Sequence, residues 1–235
     1  MSGPSGPARS EWPPLVRPFG DTAVLVELEG ESPFQRAAHV QEVAAWIADT
    51  CPASEGWGRP VPGATTVLVQ FDPLVPGPDV AMNRIRDVLS TMSPEQAAGA
   101  WPANPPIIEI PVQYGGQAGP DLDTVAGSLG LPPDDVILLH ASRIYRVLFL
   151  GFLAGFAYCG TLPAELALPR RSTPRTRVEA GSVVIAGRMT GVLPVETPSG
   201  WHILGRTSEL MWDPNRRSPA LLRPGDAVRF VPEGL

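Results

Sequence analysis

The segment over residues 151–206 most constrains how this chain can fold, because short apolar runs in it alternate with glycine and proline. Apolar runs such as 183–186 and 202–204 are long enough for short strands but too short for helices. Glycine and proline between such runs are typical of turns that join strands. We therefore predict a closed sheet or barrel of short strands in the second half of the chain.

The first half of the chain shows strand and helix patterns in alternation. The predicted elements are strands at residues 22–28 and 65–71 and helices at residues 33–48 and 80–92. Ser32 and Pro33 are typical of a helix start. This order predicts a small α/β domain over residues 16–104, after a disordered tail over residues 1–15. The Ala- and Pro-rich residues 93–106 are predicted to form a linker.

Two helices and six strands are predicted in the second half, which we treat as one domain over residues 105–235. The helices are expected at residues 121–129 and 133–142, the second with two acids in its first turn, where the helix dipole favours them. The strands are expected at residues 107–112, 145–150, 182–186, 191–195, 202–204 and 227–231.

The charge distribution favours a small anionic ligand over nucleic acid. All 18 basic residues are arginine, which excludes a lysine nucleophile and a lysine-containing phosphate loop. The formal net charge of −6 argues against nucleic-acid binding. Residues 140–207, however, hold 8 arginines against 3 acidic residues. Such a local excess suits an anionic small molecule, and the alternative is an arginine face that is only solvated or salt-bridged.

The chain lacks the short motifs of common self-contained enzymes. It contains no glycine-rich phosphate loop, no His-Glu-x-x-His, no Cys-x-x-Cys and no Gly-x-Ser-x-Gly. The three histidines are too scattered in sequence to propose a metal site, so one component of a larger enzyme is favoured. With two cysteines, no membrane-length apolar run and no signal-peptide pattern, we expect a cytoplasmic protein that does not bind membranes.

Arg170 and Arg171 are the main candidates for an anion site. Prolines on both sides of the loop restrict its backbone, which lowers the entropy cost of holding guanidinium groups for a carboxylate or phosphate. Structural ion pairing is the alternative. His140, near a predicted helix end, and Trp201, after a Ser-Gly turn, have structural alternatives as packing residues. Cys159 is a weak candidate nucleophile because no histidine lies near it in sequence.

Three motifs in this chain resemble those of the 5-oxoprolinase B-component family, which includes KipI and the allophanate hydrolase subunit 1 type. They are GFLAGFAYCGTLP at residues 151–163, PRRSTPRTRVEAGSVVIAGRMTGVLP at residues 169–194 and SGWHILGRT at residues 199–207. The resemblance continues through GDTAVLVEL at residues 20–28 and LLRPGDAVRFVP at residues 221–232. It therefore covers nearly the whole chain beyond residue 15.

The resemblance implies an α+β protein of two domains, a small N-terminal ferredoxin-like α/β domain and a C-terminal cyclophilin-like β-barrel. It implies an ATP-dependent 5-oxoprolinase that opens 5-oxo-L-proline to L-glutamate and works as a heteromer, in which this chain joins an A component and a KipA-like C component. ATP is expected to be used by the complex, and no metal or prosthetic group is expected in this chain. The substrate is a small anion.

The resemblance, together with the arginine loop, gives our predicted site. We expect His140, Arg170 and Arg171 to act in catalysis, His140 by relaying a proton and the arginines by clamping carboxylate or phosphate. The residues expected to bind substrate are Arg175, Tyr158, Trp201 and Arg206. No metal site is predicted.

The chain departs from the family motifs at several loop positions. Met189 stands where glutamine is usual and Leu193 where tyrosine is usual, and Ala154 and Ala157 replace prolines. These changes remove polar groups that could contact a substrate. Two alternative functions share the resemblance: a KipI-like inhibitor that binds a sensor histidine kinase, and a subunit of a biotin-dependent urea-type amide carboxyltransferase or allophanate-hydrolase-like system.

Overall fold

The computed structural model describes residues 13–30, 32–97 and 101–234. The described residues up to 97 form one compact unit, and those from 101 onward form a second. Most of the predicted tail lies outside the described residues, but its last residue begins the first strand. No described helix is both long enough and apolar enough to cross a membrane.

The first unit is an antiparallel sheet with helices. Its strands are β1 (Leu15–Pro18), β2 (Ala23–Glu27), β3 (Val61–Pro62) and β4 (Thr66–Gln70), and its helices are α1 (Pro33–Thr50), α2 (Pro78–Ser90) and α3 (Pro94–Ala97). The sheet order is β1-β2-β4-β3. Alternate residues of β2 and β4, including Val24, Val26, Val67 and Val69, are buried against the helices because strand side chains point to opposite faces.

The connectivity from β2 to α2 is strand, helix, two strands and helix. This order is the first five elements of the predicted ferredoxin-like pattern. The place of its final strand, beside β2, is held by β1, which comes first in the chain and pairs antiparallel with β2. The edge strand beside β2 is therefore the first strand of the chain, whereas in the ferredoxin-like pattern it is the last.

Part of the predicted linker at residues 93–106 is the short helix α3. Its start is fixed by a reciprocal pair of hydrogen bonds, in which Gln96 N donates to Ser93 Oγ (3.2 Å) and Ser93 N donates to Gln96 Oε1 (2.8 Å). This arrangement is a capping box, whose Ser-x-x-Gln pattern is visible in the sequence. The helix was not predicted, because the Ala and Pro content of the segment concealed that signal.

The second unit is built around a closed barrel. Its strands are β5 (Ile107–Tyr114), β6 (Tyr145–Leu150), β7 (Ala157–Gly160), β9 (Ser182–Ala186), β10 (Met189–Val192), β12 (His202–Arg206) and β13 (Ala227–Pro232); β8 (Arg175–Val178) and β11 (Thr197–Ser199) form a separate pair, and the helices are α4 (Leu122–Leu129) and α5 (Pro133–Ala141). The barrel order is β10-β7-β6-β13-β5-β12-β9. The α+β class and the barrel predicted from the sequence are confirmed.

The barrel closes through one parallel pairing among antiparallel ones. The last strand, β13, runs parallel to β5 over six residue pairs, from Ala227 opposite Ile107 to Pro232 opposite Val112. The predicted strands match the structure closely except for β10, which begins at Met189 instead of residue 191. Strands β7, β8 and β11 were not predicted, because they are short and lie between glycines, prolines and arginines.

Two glycines allow close approaches at β12, Gly119 for the loop before α4 and Gly205 for the neighbouring strand β5. A methyl group at Gly119 would lie 1.9 Å from the carbonyl oxygen of Leu204, and one at Gly205 would lie 2.5 Å from the carbonyl oxygen of Gln113. Neither contact is possible for a real side chain, and both obstacles are backbone atoms. Gly119 thus brings the start of α4 against the barrel wall, and Gly205 lets β5 and β12 pair closely.

We expect Gly119→Ala to lower the free energy of unfolding by at least ~2 kcal/mol, because the backbone around it must move to admit a methyl group. Gly127→Ala is the matched control, since Gly127 lies in α4 with no atom within 4 Å of the added methyl group. There we expect a gain of ~0.5–1 kcal/mol from helix propensity. Urea unfolding of both variants tests the difference, and equal stabilities would contradict the close approach.

Candidate functional site

A second apolar cluster lies on the outer face of the barrel wall. Side chains of a strand alternate between faces, so Val183 and Ile185 of β9 point into the barrel core while Val184 joins the outer cluster. The other members of the outer cluster are Phe156, Val178, Ala186, Leu193, Trp201 and Ile203, with Leu153, Tyr158 and Met189 packed against them. A ligand can contact side chains on this outer face but not those in the barrel interior.

Five aromatic rings at this cluster are linked by ring contacts, and we call them the aromatic wall: Phe149, Phe152, Phe156, Tyr158 and Trp201. Tyr158 lies at its centre, stacked on Phe149 at a centroid distance of 4.2 Å and edge-on to Trp201 at 5.8 Å. Phe156 contacts Tyr158 at 4.8 Å and Trp201 at 5.7 Å, both edge-on. Offset and edge-on contacts of this kind add stability beyond burial alone.

Tyr158 and Trp201, both predicted to bind substrate, are thus brought together. Trp201 is nearly buried, while Tyr158 is half-buried and keeps part of its ring accessible. Burial raises the pKa of Tyr158, and the nearby positive charge of Arg170 opposes that rise. The phenol therefore stays protonated at neutral pH and can donate a hydrogen bond.

The loop that carries the arginines is fastened beside Trp201. The backbone N–H of Arg171 donates to the carbonyl oxygen of Gly200 (2.8 Å), and His202 Nε2 donates to the carbonyl oxygen of Pro169 (2.9 Å). A carbonyl can only accept, so Nε2 of His202 carries a proton. Arg170 is exposed, and within the described part of the chain its side chain has no hydrogen bond or ion pair.

Asp121 holds the other two arginines of this loop. Only 2% of Asp121 is exposed. Its carboxylate accepts two hydrogen bonds from Arg175 (both 2.7 Å), one from Arg171 Nη1 (3.0 Å) and one from the backbone N–H of Ile203 (2.8 Å). Burial acts to raise the pKa of Asp121, but the hydrogen bonds from Arg175 and Ile203 and the two positive charges outweigh it and lower the pKa.

The arginines that were predicted to bind an anion together therefore have different roles. Arg171 and Arg175 neutralise a buried acid, which is the structural alternative that the sequence left open, and Arg206 pairs with Glu179. Arg170 is the guanidinium next to the aromatic wall that stays available for a ligand. Because two arginines face one carboxylate, the group of Asp121, Arg171 and Arg175 retains one positive charge. This charge also favours an anion nearby.

His140 lies inside the barrel and does not face the aromatic wall. It is fully buried, packed against Phe230 at a ring distance of 4.6 Å. Thr190 Oγ1 donates to the carbonyl oxygen of Val184 (3.1 Å), so His140 Nε2 donates to Thr190 (2.9 Å) and His140 Nδ1 accepts from the Tyr114 hydroxyl (2.6 Å). Both ring nitrogens are satisfied, and burial lowers the pKa of His140 to about 3. The geometry does not support the predicted proton relay, because no substrate can reach this ring.

Cys159 is equally enclosed. It lies on the barrel-core face of β7, and burial raises the pKa of its thiol to about 12. The thiol therefore stays protonated and lacks the thiolate that nucleophilic attack requires. Among residues 13–30, 32–97 and 101–234, no group of three or more His, Cys, Asp and Glu side chains is placed to hold a metal ion.

Sequence reasoning missed Asp121, His202 and Phe149. Asp121 is the first residue of a predicted helix, where an acid is common, and nothing in its local sequence marks arginines 50 and 54 residues away as its partners. His202 lies in a predicted strand and was noted only as one of three scattered histidines. Phe149 lies in a strand that was predicted correctly, but its stacking on Tyr158 depends on the pairing of β6 with β7.

The fold and the site define an α+β protein with a seven-stranded barrel and an arginine-flanked aromatic outer face. A family model described as "Carboxyltransferase domain, subdomain C and D" matches residues 14–222. The B component of 5-oxoprolinase from Escherichia coli O157:H7 is 41% identical over 218 residues, which cover 92% of this chain and 94% of that protein. Its counterpart from Bacillus subtilis (strain 168), which has the same name, is 36% identical over 223 residues, 92% of this chain and 91% of that protein.

Solved structures agree with this relationship. The crystal structure of TTHA0988 matches with a TM-score of 0.70 and 32% identity over 93% of this chain, which spans 40% of the TTHA0988 chain. The urea carboxylase of Kluyveromyces lactis shares the fold, with a TM-score of 0.76 at 20% identity over 96% of this chain and 22% of that protein. This chain belongs to the 5-oxoprolinase B-component family, as its sequence motifs indicated.

We expect Asp121→Asn to lower the free energy of unfolding by ~2–3 kcal/mol at pH 7, because two partly buried arginines lose their counter-charge. Asp123→Asn, at an exposed position in α4, is the control and should change stability by less than ~0.5 kcal/mol. Because the folded-state pKa of Asp121 is lowered, the wild-type advantage is present above pH 4 and is lost on acidification. Urea unfolding of the wild type and both variants at pH 7 and pH 3 measures this advantage. Equal losses of stability in Asp121→Asn and Asp123→Asn at pH 7 would contradict the anchoring role of Asp121.

A second prediction concerns His140. Its folded-state pKa of about 3 lies below the ordinary value of 6.5, so the neutral ring stabilises the fold fully above pH 6.5, and this contribution is lost as the pH falls toward 3. We expect the free energy of unfolding to drop by ~1 kcal/mol between pH 6.5 and 5.5. His140→Gln should remove most of that slope. A slope unchanged in His140→Gln would overturn the assignment.

Proposed function

We propose that this chain is the B component of an ATP-dependent 5-oxoprolinase, which opens 5-oxo-L-proline to L-glutamate together with the A and C components. The observation that carries the proposal is the match, along almost the full length of both chains, to proteins that are named as this component of 5-oxoprolinase. The absence of a self-contained catalytic motif from the sequence supports a role within a complex. A cytoplasmic location and the cyclophilin-like and ferredoxin-like types of the two units belong to the same proposal.

The candidate site suits a small, flat, singly charged substrate. The aromatic wall offers Tyr158 as an accessible face for a five-membered lactam ring, and Arg170 lies close enough to influence the ionisation of that phenol. A guanidinium can bind a carboxylate through two parallel hydrogen bonds. In this proposal Arg170 binds the substrate carboxylate, while Tyr158 and Trp201 form the wall against which the ring rests.

The departures from the family motifs fit this arrangement. Met189 packs against the outer cluster and Leu193 is buried in it. These two side chains extend the apolar surface and do not supply polar contacts. Recognition of the charged end of the substrate thus depends on Arg170 and on the arginine pair anchored by Asp121, and the wall supplies apolar contact.

ATP would supply the phosphoryl group that activates the unreactive lactam carbonyl in the complex. The residues of this site do not fit a triphosphate. One unpaired guanidinium and an arginine pair that retains a single positive charge provide too little positive charge, and the chain has no lysine and no glycine-rich phosphate loop. We assign ATP to another component of the complex, and the residues of this chain bind and orient the substrate and exclude water from one side of it.

The alternative functions stay predictions. The similarity to the Kluyveromyces lactis urea carboxylase shows a shared fold at low sequence identity. A shared fold does not imply a shared substrate. A KipI-like inhibitor would need a kinase-binding surface but no substrate contacts. The three functions differ in their dependence on Arg170, which only a substrate-binding role makes essential for glutamate release.

The test is ATP-dependent release of glutamate from 5-oxo-L-proline by this chain purified with its A and C components. We expect Arg170→Ala to lower kcat/KM by ~10–100-fold, mainly through KM, because a charge-assisted hydrogen bond to the substrate is lost. Arg217→Ala, at an exposed position in the loop before β13, is the matched control and should match the wild type. No glutamate from a verified complex would refute the function, and full activity of Arg170→Ala would refute the site.

A further inference from the structure

Phe152 combines two unfavourable features in the isolated chain. Its backbone φ of 68° lies in the left-handed region, and it is the one non-glycine residue with positive φ in the described part of the chain. For a bulky aromatic residue this conformation is strained and persists only where the surrounding structure enforces it. The side chain is also 62% exposed, so that burial of the ring does not offset the strain.

The loop that presents Phe152 is fixed. Leu153 N donates to the carbonyl oxygen of Gly151 (2.8 Å), and Phe156 N donates to the carbonyl oxygen of Leu153 (3.0 Å). Gly155 approaches the neighbouring backbone so closely that a methyl group there would lie 2.9 Å from the carbonyl oxygen of Met211. The exposed ring is therefore held outward by a defined backbone, as a preorganised contact would be.

Phe152 is the most exposed member of the aromatic wall, with an edge-on contact to Phe156 at 6.0 Å. An exposed aromatic ring on a wall that also carries an unpaired arginine, here Arg170 beside Tyr158, has the composition of an interface hot spot. The charge beside the wall is positive, because Arg170 next to Tyr158 is unpaired, and the group of Asp121, Arg171 and Arg175 carries one net positive charge. A complementary protein surface is therefore apolar and acidic.

We propose that Phe152 anchors this chain to a partner protein whose surface offers an apolar pocket for the ring beside a carboxylate. Docking there would place protein over the open side of the aromatic wall and so enclose the candidate site. The inference rests on the proposed function only in taking the C component of 5-oxoprolinase as that partner. The strained backbone is then a feature kept for binding at some cost in stability.

The test measures binding and stability separately. Phe152→Gly and Phe152→Ala both remove the ring, so both should raise the dissociation constant for the purified C component by at least ~10-fold in calorimetry. Glycine adopts positive φ without strain, so Phe152→Gly should melt at a higher temperature than Phe152→Ala. Leu138→Ala is the matched control, because Leu138 is 65% exposed on α5 with ordinary helical backbone. It should bind like the wild type.

The remaining outcomes either contradict the proposed interface or separate it from the proposed enzyme function. Wild-type affinity in both Phe152 variants, or a wild-type chain that does not bind the C component, would overturn the proposal. A dimer of the chain alone that dissociates on Phe152→Glu would identify a second copy as the occupant and also overturn it. Phe152-dependent binding in a complex that releases no glutamate would support the interface while refuting the proposed function.

Discussion

The candidate site depends on the hydrogen bonds and ion pairs of one buried carboxylate, that of Asp121. A buried charge is costly unless it is paired and hydrogen-bonded, and here four hydrogen bonds meet that requirement. They come from the arginine loop, from the start of β8 and from the backbone of β12. One side chain before α4 thus holds both the arginine loop and β12, which are far from it in sequence, and the charged carboxylate helps to keep that loop beside the aromatic wall.

The barrel decides which chemical groups reach a ligand. Strand side chains alternate between the two faces, so one strand sends residues both to the core and to the outer surface. His140 and Cys159 lie in the core, where burial keeps the imidazole neutral and the thiol protonated. Tyr158, the neighbour of Cys159, lies on the outside within the influence of Arg170. The groups that look most reactive in the sequence are therefore structural, and the accessible site is built from arginine and aromatic rings.

This arrangement accounts for a binding role within a larger enzyme. The accessible groups can orient an anion and hold a flat ring, but within the described residues the site has no activated nucleophile and no metal cluster. A surface of this kind gains catalytic value when other protein supplies the reacting groups and excludes water. The exposure of Phe152 at the edge of the wall fits a site that another chain completes.

The sequence by itself determined the secondary structure where hydrophobic periodicity was strong, as in β2, β4, α1 and β13, and it determined the family through ordered motifs. It also indicated the segment over residues 151–206, which carries Tyr158, Arg170 and Trp201 of the candidate site. Short strands such as β8 and β11 escaped prediction because they are defined by their partners and not by local pattern. Only the tertiary structure decided the roles of His140, Arg171 and Arg175. Burial and pairing with residues such as Asp121 and Thr190 are long-range properties, and the charge and reactivity of a side chain follow from them.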